Sequence, residues 1–156
     1  MTSSDLPPIV SDQSAVENDL PVRNAAAVVI TNDIGLVLLA RRNLLLPEFP
    51  GVWSFPSIYE RDGQGLWPSL ASLIHQELGL ELDGDQLIGR RLGQRREHRI
   101  LMHLYLARAV GLPTRRGQKY DDLLWTDGKS FVAGLEWAKM GECMKCYADY
   151  LQAKVQ

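Results

Sequence analysis

One stretch limits the folds open to this chain more than any other: Trp53 to Leu80, WSFPSIYERDGQGLWPSLASLIHQELGL. An aromatic–proline turn leads into a loop punctuated by Gly63 and Gly65, and a helical run follows. Leu66, Leu70, Leu73, Ile74 and Leu78 recur at the spacing of a helix with one buried face. Gly79 stands where a C-terminal cap is expected. A loop feeding a helix in this way builds sites, because anions and metals are commonly held there.

The flanking chain supplies strands. Asn24–Thr31 (NAAAVVIT) is small and β-branched and reads as a buried strand; Gly35–Arg41 (GLVLLAR) reads as a second, joined to the first through an Asn32-Asp33 turn as a β-hairpin. Asn43 to Val52 is an apolar loop with two prolines, expected to pack down, as core coverage first and as the wall of a substrate pocket in the alternative. Beyond the helix, Asp83-Gly84-Asp85 reads as a turn and Gln86–Gln94 as a strand interrupted, as by bulges, at Gly89 and Gly93. Ile100–Ala109 is expected as a central strand, Gly111–Tyr120 as a loop, Asp121–Thr126 as a last strand and Gly141–Val155 as a closing helix. Residues 1–21 are rich in Ser, Asp and Pro without periodicity and read as a disordered or loosely docked leader; residues 22–156 read as one domain.

Composition excludes several classes. Hydrophobic content of 46% and charged content of 23% are ordinary for a globular protein. A net charge of -2 argues against a globally basic nucleic-acid binder, and a nucleic-acid partner is not expected. No apolar run approaches the roughly 20 residues of a membrane span. The acidic, polar start does not read as a secretory signal, so a cytoplasmic location is expected. Cys143 and Cys146 form a C-x-x-C without a second pair to complete a zinc site, and within a terminal helix they read as buried thiols. His98 and His103 fall on opposite faces of a strand and do not read as a metal pair.

Ile58–Leu80 resembles a degenerate Nudix box. Anchored on Gly79, the spacing needs no gap back to Phe55-Pro56, which matches the family's lead-in, and Trp53 matches the Trp that often precedes it. Ile74, Glu77, Gly79 and Leu80 match the pattern. Ser57 and Ile58 stand at the lead-in glycines, Gln64 at the first Glu, Ser72 at the Arg, and Leu73 and Gln76 at two further Glu positions. The resemblance implies an α/β Nudix fold, a mixed, mainly antiparallel sheet sandwiched between helices. It also implies, in active members, three carboxylates at i, i+3 and i+4 converging on Mg²⁺ or Mn²⁺ beside a pyrophosphate. Here that trio is Leu73, Gln76 and Glu77, so Mg²⁺ or Mn²⁺ binding is expected to be weak or lost.

Candidate site residues follow from the same resemblance. Glu77 is the surviving metal ligand and catalytic candidate, with Glu60, Asp62, Glu97, Asp121 and Asp122 as available helpers. Arg41, Arg42, Trp53, Phe55 and Arg99 are the candidate substrate contacts. Arg41-Arg42 matches an Arg that often ends the second strand in the family. Arg99 belongs to the densest basic cluster, with Arg90, Arg91, Arg95, Arg96 and His98, and guanidinium forks suit phosphate. The plainer reading of that cluster is a solvated or acid-paired edge.

Three functions compete. The loss of two formal negative charges from the metal site favours a weak or inactive hydrolase that binds a nucleotide or other phosphorylated small molecule. The alternative is a divergent hydrolase cleaving a nucleoside diphosphate linked to another moiety. The third is an interaction scaffold. A homodimer is left open.

Overall fold

The computed structural model describes residues 6–61 and 63–155. Strand β2 (Val22–Thr31) lies at the centre of its sheet, and its side chains explain why. Ala25, Ala27 and Val29 pack on one face, Ala26, Val28 and Ile30 on the other, and both faces are buried. β7 (Arg99–Val110) runs parallel to one edge of β2, from Val22↔Arg99 to Thr31↔Arg108. β5 (Ser57–Tyr59) and the start of β3 (Val37–Arg42) pair antiparallel on the other edge. β6 (Glu81–Gln94) pairs with β7, and β4 (Trp53–Ser54) and β8 (Tyr120–Thr126) pair with β3, all antiparallel. β1 (Ile9–Ser11) adds in parallel to the outer edge of β6. Among the described residues these strands form one eight-stranded, mixed and mainly antiparallel sheet.

A helix covers each face. α2 (Leu66–Leu78) buries Leu70, Ile74 and Leu78 against Val28, Ile30 and Leu38. α4 (Glu142–Lys154) buries Cys143, Met144, Cys146 and Tyr147 against Ala27, Leu39 and Met102. The expected α2 cap is present: Gly79 has φ +65°, and its N–H donates to the His75 carbonyl at 3.0 Å. The hairpin is also present, with Asn32 Oδ1 accepting from Ile34 and Leu36 N–H at 3.2 and 2.9 Å. Two short helices complete the chain, α1 (Gln13–Val16) and α3 (Gly128–Ala133), the latter capped by Asp127 Oδ1 accepting from Ser130 N–H. No helix among the described residues is long and apolar enough to cross a membrane.

Two local readings change. Asp83-Gly84-Asp85 lies inside β6 and is not a chain reversal. β7 runs straight past it, so the positive φ of Gly84 is absorbed as an irregularity, with a register shift between Asp83 and Gln86. Gly93 does not interrupt its strand, since it stays paired with Ile100. Its small size serves a close approach, because a Cβ there would come within 2.1 Å of the Glu142 carboxyl carbon.

Three arginines of the basic cluster tie the fold together. Arg90 donates to the Pro7 carbonyl at 2.6 and 2.9 Å, and Arg99 to the Leu20 and Ala15 carbonyls at 2.8 and 3.3 Å. Arg91, 3% exposed, pairs with Asp12, with Asp149 at 2.7 Å and with Glu142 at 3.3 Å. The last contact is an ion pair that misses hydrogen-bond alignment, leaving Arg91 Nε and Glu142 Oε2 without a hydrogen-bond partner among the described residues. Residues 6–21 of the segment read as a leader are thus docked along β6 and tied by Arg90, Arg91 and Arg99; residues 1–5 lie outside the described residues. Removing Arg91 strands three carboxylates together, one of them, Glu142, 2% exposed. Arg91→Met is expected to lower stability by about 3 kcal/mol, the lower end for a broken buried pair because Asp12 and Asp149 stay part-exposed. A urea midpoint equal to that of the unsubstituted protein would contradict the clamp.

Candidate functional site

Two cavities meet where β5 leaves the sheet. The first, ≈ 210 Å³, lies on the α4 side; Phe49, Trp53 and Tyr59 give it aromatic walls, and Met102 and Met144 are further apolar lining. Its Ala25 wall is a consequence of β2, where a small side chain leaves room above the sheet. The second, ≈ 620 Å³, lies beside α2 and is lined by Arg23, Glu60, Arg61, Leu73, Glu77 and Lys119. Ile58, Tyr59 and Lys119 line both.

The shared residues are held firmly. β5 pairs antiparallel with Ala25–Ala27, which directs Ile58 to the α2 face and Tyr59 to the α4 face. The Tyr59 hydroxyl is 3.2 Å from His98 Nε2, and the Arg23 guanidinium lies 3.9 Å above the Tyr59 ring. Burial lowers the His98 pKa, and Arg23 and Arg95 push the same way, so the imidazole is neutral and can share that hydrogen bond. Lys119 is half-buried and donates to the Ser57 carbonyl. Burial first, then Arg42 and Arg61, bring its ammonium down to about 8, with Glu77 opposing them.

Glu77 closes the last turn of α2 under the loop that precedes β8. Arg116 N–H donates to the Glu77 carbonyl at 2.8 Å, and the Gly117 backbone covers the carboxylate so closely that a Cβ there would lie 1.2 Å from Oε2. Oε2 is buried without a hydrogen-bond partner among the described residues. Leu73 packs against the core on the α2 side, and Gln76 is exposed. Among the described residues no three His, Cys, Asp or Glu side chains converge as a metal-ion site.

The sequence candidates separate. Glu77 lines the second cavity and Arg42 and Trp53 the first. Phe55 is 1% exposed and packs edge-on against Tyr147, with ring centroids 5.0 Å apart, so it belongs to the core and not to a cavity wall. Arg41 is drawn away by Asp121 at 2.6 Å, a contact that raises its pKa, and lies over Trp53. Arg99 lines neither cavity and holds the residues before β2. Of the proposed helpers, Glu60 shares the second cavity with Glu77, while Asp121 is engaged by Arg41. Asp122 accepts from Leu123 N–H, Glu97 is exposed, and Asp62 lies outside the described residues. Cys143 lines the first cavity, but burial pushes its thiol up to about 11 and that of Cys146 to about 12, so both stay protonated.

Solved structures share the fold. The MutT protein from Methanosarcina mazei Go1 superposes with a TM-score of 0.75 at 15% identity, covering 90% of this chain and 100% of its own. The MutT NUDIX hydrolase from Burkholderia pseudomallei gives 0.63 at 20% identity over 80% of this chain and 93% of its own. The NUDIX hydrolase from Nitrosomonas europaea gives 0.65 at 17% identity over 86% and 90%. The chain has the Nudix fold. No protein-family model matches it, and no curated protein does. α2 carries the residues whose spacing resembles the Nudix box, and of these Leu73 and Glu77 line the second cavity.

Four residues of this site escaped the sequence reading: Arg23, Tyr59, Arg61 and Lys119. They come from the start of β2, the end of the three-residue β5, the chain just beyond it and the end of a loop, with no spacing to mark them. Of the cavity-lining residues, Arg42, Trp53 and Glu77 carried a family signal. The Gly117 contact gives a direct check. Gly117→Ala places a methyl group on the Glu77 carboxylate and is expected to move that side chain at a cost of about 1 kcal/mol, which Glu77→Ala removes. Additive effects in the double-mutant cycle would show that the two residues do not touch.

Proposed function

We propose that this Nudix-fold protein binds a nucleotide or other phosphorylated small molecule and hydrolyses it weakly or not at all. The supporting observation is the junction at Tyr59 and Lys119 between two cavities, one with aromatic walls at Phe49, Trp53 and Tyr59 that also takes Arg42, Arg95 and Glu48, the other lined by Arg23, Arg61, Glu60 and Glu77. A flat ring needs aromatic walls and a phosphate needs cations, and this junction offers both. The donors on α2 do not fit a divalent cation well. A hydrocarbon, an exposed amide and one partly covered carboxylate offer little of the oxygen and charge that Mg²⁺ or Mn²⁺ requires.

One observation favours the second reading, a divergent hydrolase. Glu60 and Glu77 line the same cavity, so a ligand there meets two carboxylates from different elements.

The test is a panel of nucleoside diphosphate derivatives read by thermal shift and by phosphate release with Mg²⁺ or Mn²⁺, with Glu77→Gln alongside. At about one hundred times Kd a true ligand adds about 2.7 kcal/mol, a rise in Tm on the order of 5–10 °C. Such a shift without turnover is expected. Metal-dependent release that collapses in Glu77→Gln would instead establish the hydrolase. Trp53→Ala is expected to weaken the ligand by about 1–3 kcal/mol if a base stacks in the first cavity, with unchanged affinity placing the ring elsewhere.

A further inference from the structure

We propose that Lys119, with Arg61 and Arg23, holds the ligand's phosphate directly, in place of the divalent cation that a Nudix box implies. This rests on the reading that the ligand is phosphorylated, and it concerns how the phosphate is bound. The lining of the second cavity has the wrong sign for a metal site. A site for Mg²⁺ gathers carboxylates, whereas here Arg23, Arg61 and Lys119 outnumber Glu60 and Glu77. Glu77 is further withdrawn by the Gly117 backbone, which buries Oε2.

The cations are also unspent. Arg41, Arg91 and Arg108 each pair with carboxylates, but among the described residues none lies within 4.0 Å of the charged nitrogens of Arg23, Arg61 or Lys119. Each has a defined place nonetheless. Arg23 is stacked on Tyr59, Lys119 is tied to the Ser57 carbonyl, and Arg61 follows β5 by two residues. Among the described residues Ser57 is the one acceptor of Lys119, which leaves two of its three ammonium hydrogens for a ligand. Its lowered pKa has the same origin: burial, with Arg42 and Arg61 near and too little negative charge. A phosphate would supply that charge, and because Lys119 lines both cavities it would do so where the ring-binding cavity begins.

The charged and titratable groups acting on Lys119 are Arg42 from β3, Arg61 beyond β5 and Glu77 from α2. Tyr120 follows it in sequence with its ring beside the ammonium, and burial raises that phenol far above its usual range. Among these, Lys119 is the group whose charge changes near pH 8. Phosphate second ionisations lie near ~6 and are complete by then.

The probes are ADP and inorganic pyrophosphate, titrated calorimetrically into the whole chain with excess EDTA and again with Mg²⁺. Binding is expected in EDTA, weakened about tenfold or more by Lys119→Met and by Arg61→Gln, and largely restored in Lys119→Arg. Arg61 is exposed, so its replacement keeps the test open if Lys119→Met fails to fold. The unsubstituted protein should also lose affinity in EDTA as pH rises through about 8. Binding that requires Mg²⁺, disappears in Glu77→Gln and ignores Arg61→Gln would overturn direct phosphate contact while keeping the phosphorylated-ligand reading. No binding of either probe under any condition would overturn both.

Discussion

The structure depends on a single strand that water cannot reach from either side. Six consecutive residues of β2, Ala25 to Ile30, are buried, and they alternate between two separate cores. A strand of this kind has to be covered on both faces, which calls for α2 on one and α4 on the other. It also has to be paired on both edges, which brings β7 alongside and seats β5 opposite Ala25–Ala27. The cavities form where the short β5 ends, so the site is a by-product of how β2 is enclosed.

Burial separates two kinds of arginine in this protein. Arg90, Arg91 and Arg99 lie beside chain that needs partners, and they donate to the carbonyls of Pro7, Ala15 and Leu20 and to Asp149. A guanidinium in that setting serves as a structural tie. Arg23 and Arg61 line an open cavity, and among the described residues no carboxylate lies within 4.0 Å of their guanidinium nitrogens, so their charge stays available. Three arginines of the densest basic run are therefore tied, while Arg95 of the same run lines the first cavity and Arg23 and Arg61 line the second.

The box helix shows a similar division between shape and chemistry. Its period, its glycine cap and its packing on the sheet are intact in a chain with the Nudix fold. At the positions that face the cavity, Leu73 extends the apolar face and Glu77 lies under Gly117. Packing demands on the two positions are simple, so they can be met without carboxylates, and the fold does not require the metal ligands to persist.

Much was legible in the sequence because it depends on neighbours. The α2 period and Gly79 cap, the buried β2, the hairpin and the terminal helix all follow from spacing and backbone preference, which act over a few residues. Readings that depended on which surface a residue would meet fared differently. Phe55 went to the core, Arg99 to the leader, and the Asp83–Asp85 turn into a long strand, each settled by a partner distant in sequence. The sequence by itself determined a Nudix-like α/β sandwich and an α2 stripped of two carboxylates. Only the tertiary structure decided that Lys119 would stand beside Tyr59 and Arg23. Residues separated by tens of positions come together through sheet pairing, and pairing between distant segments leaves no local period to read.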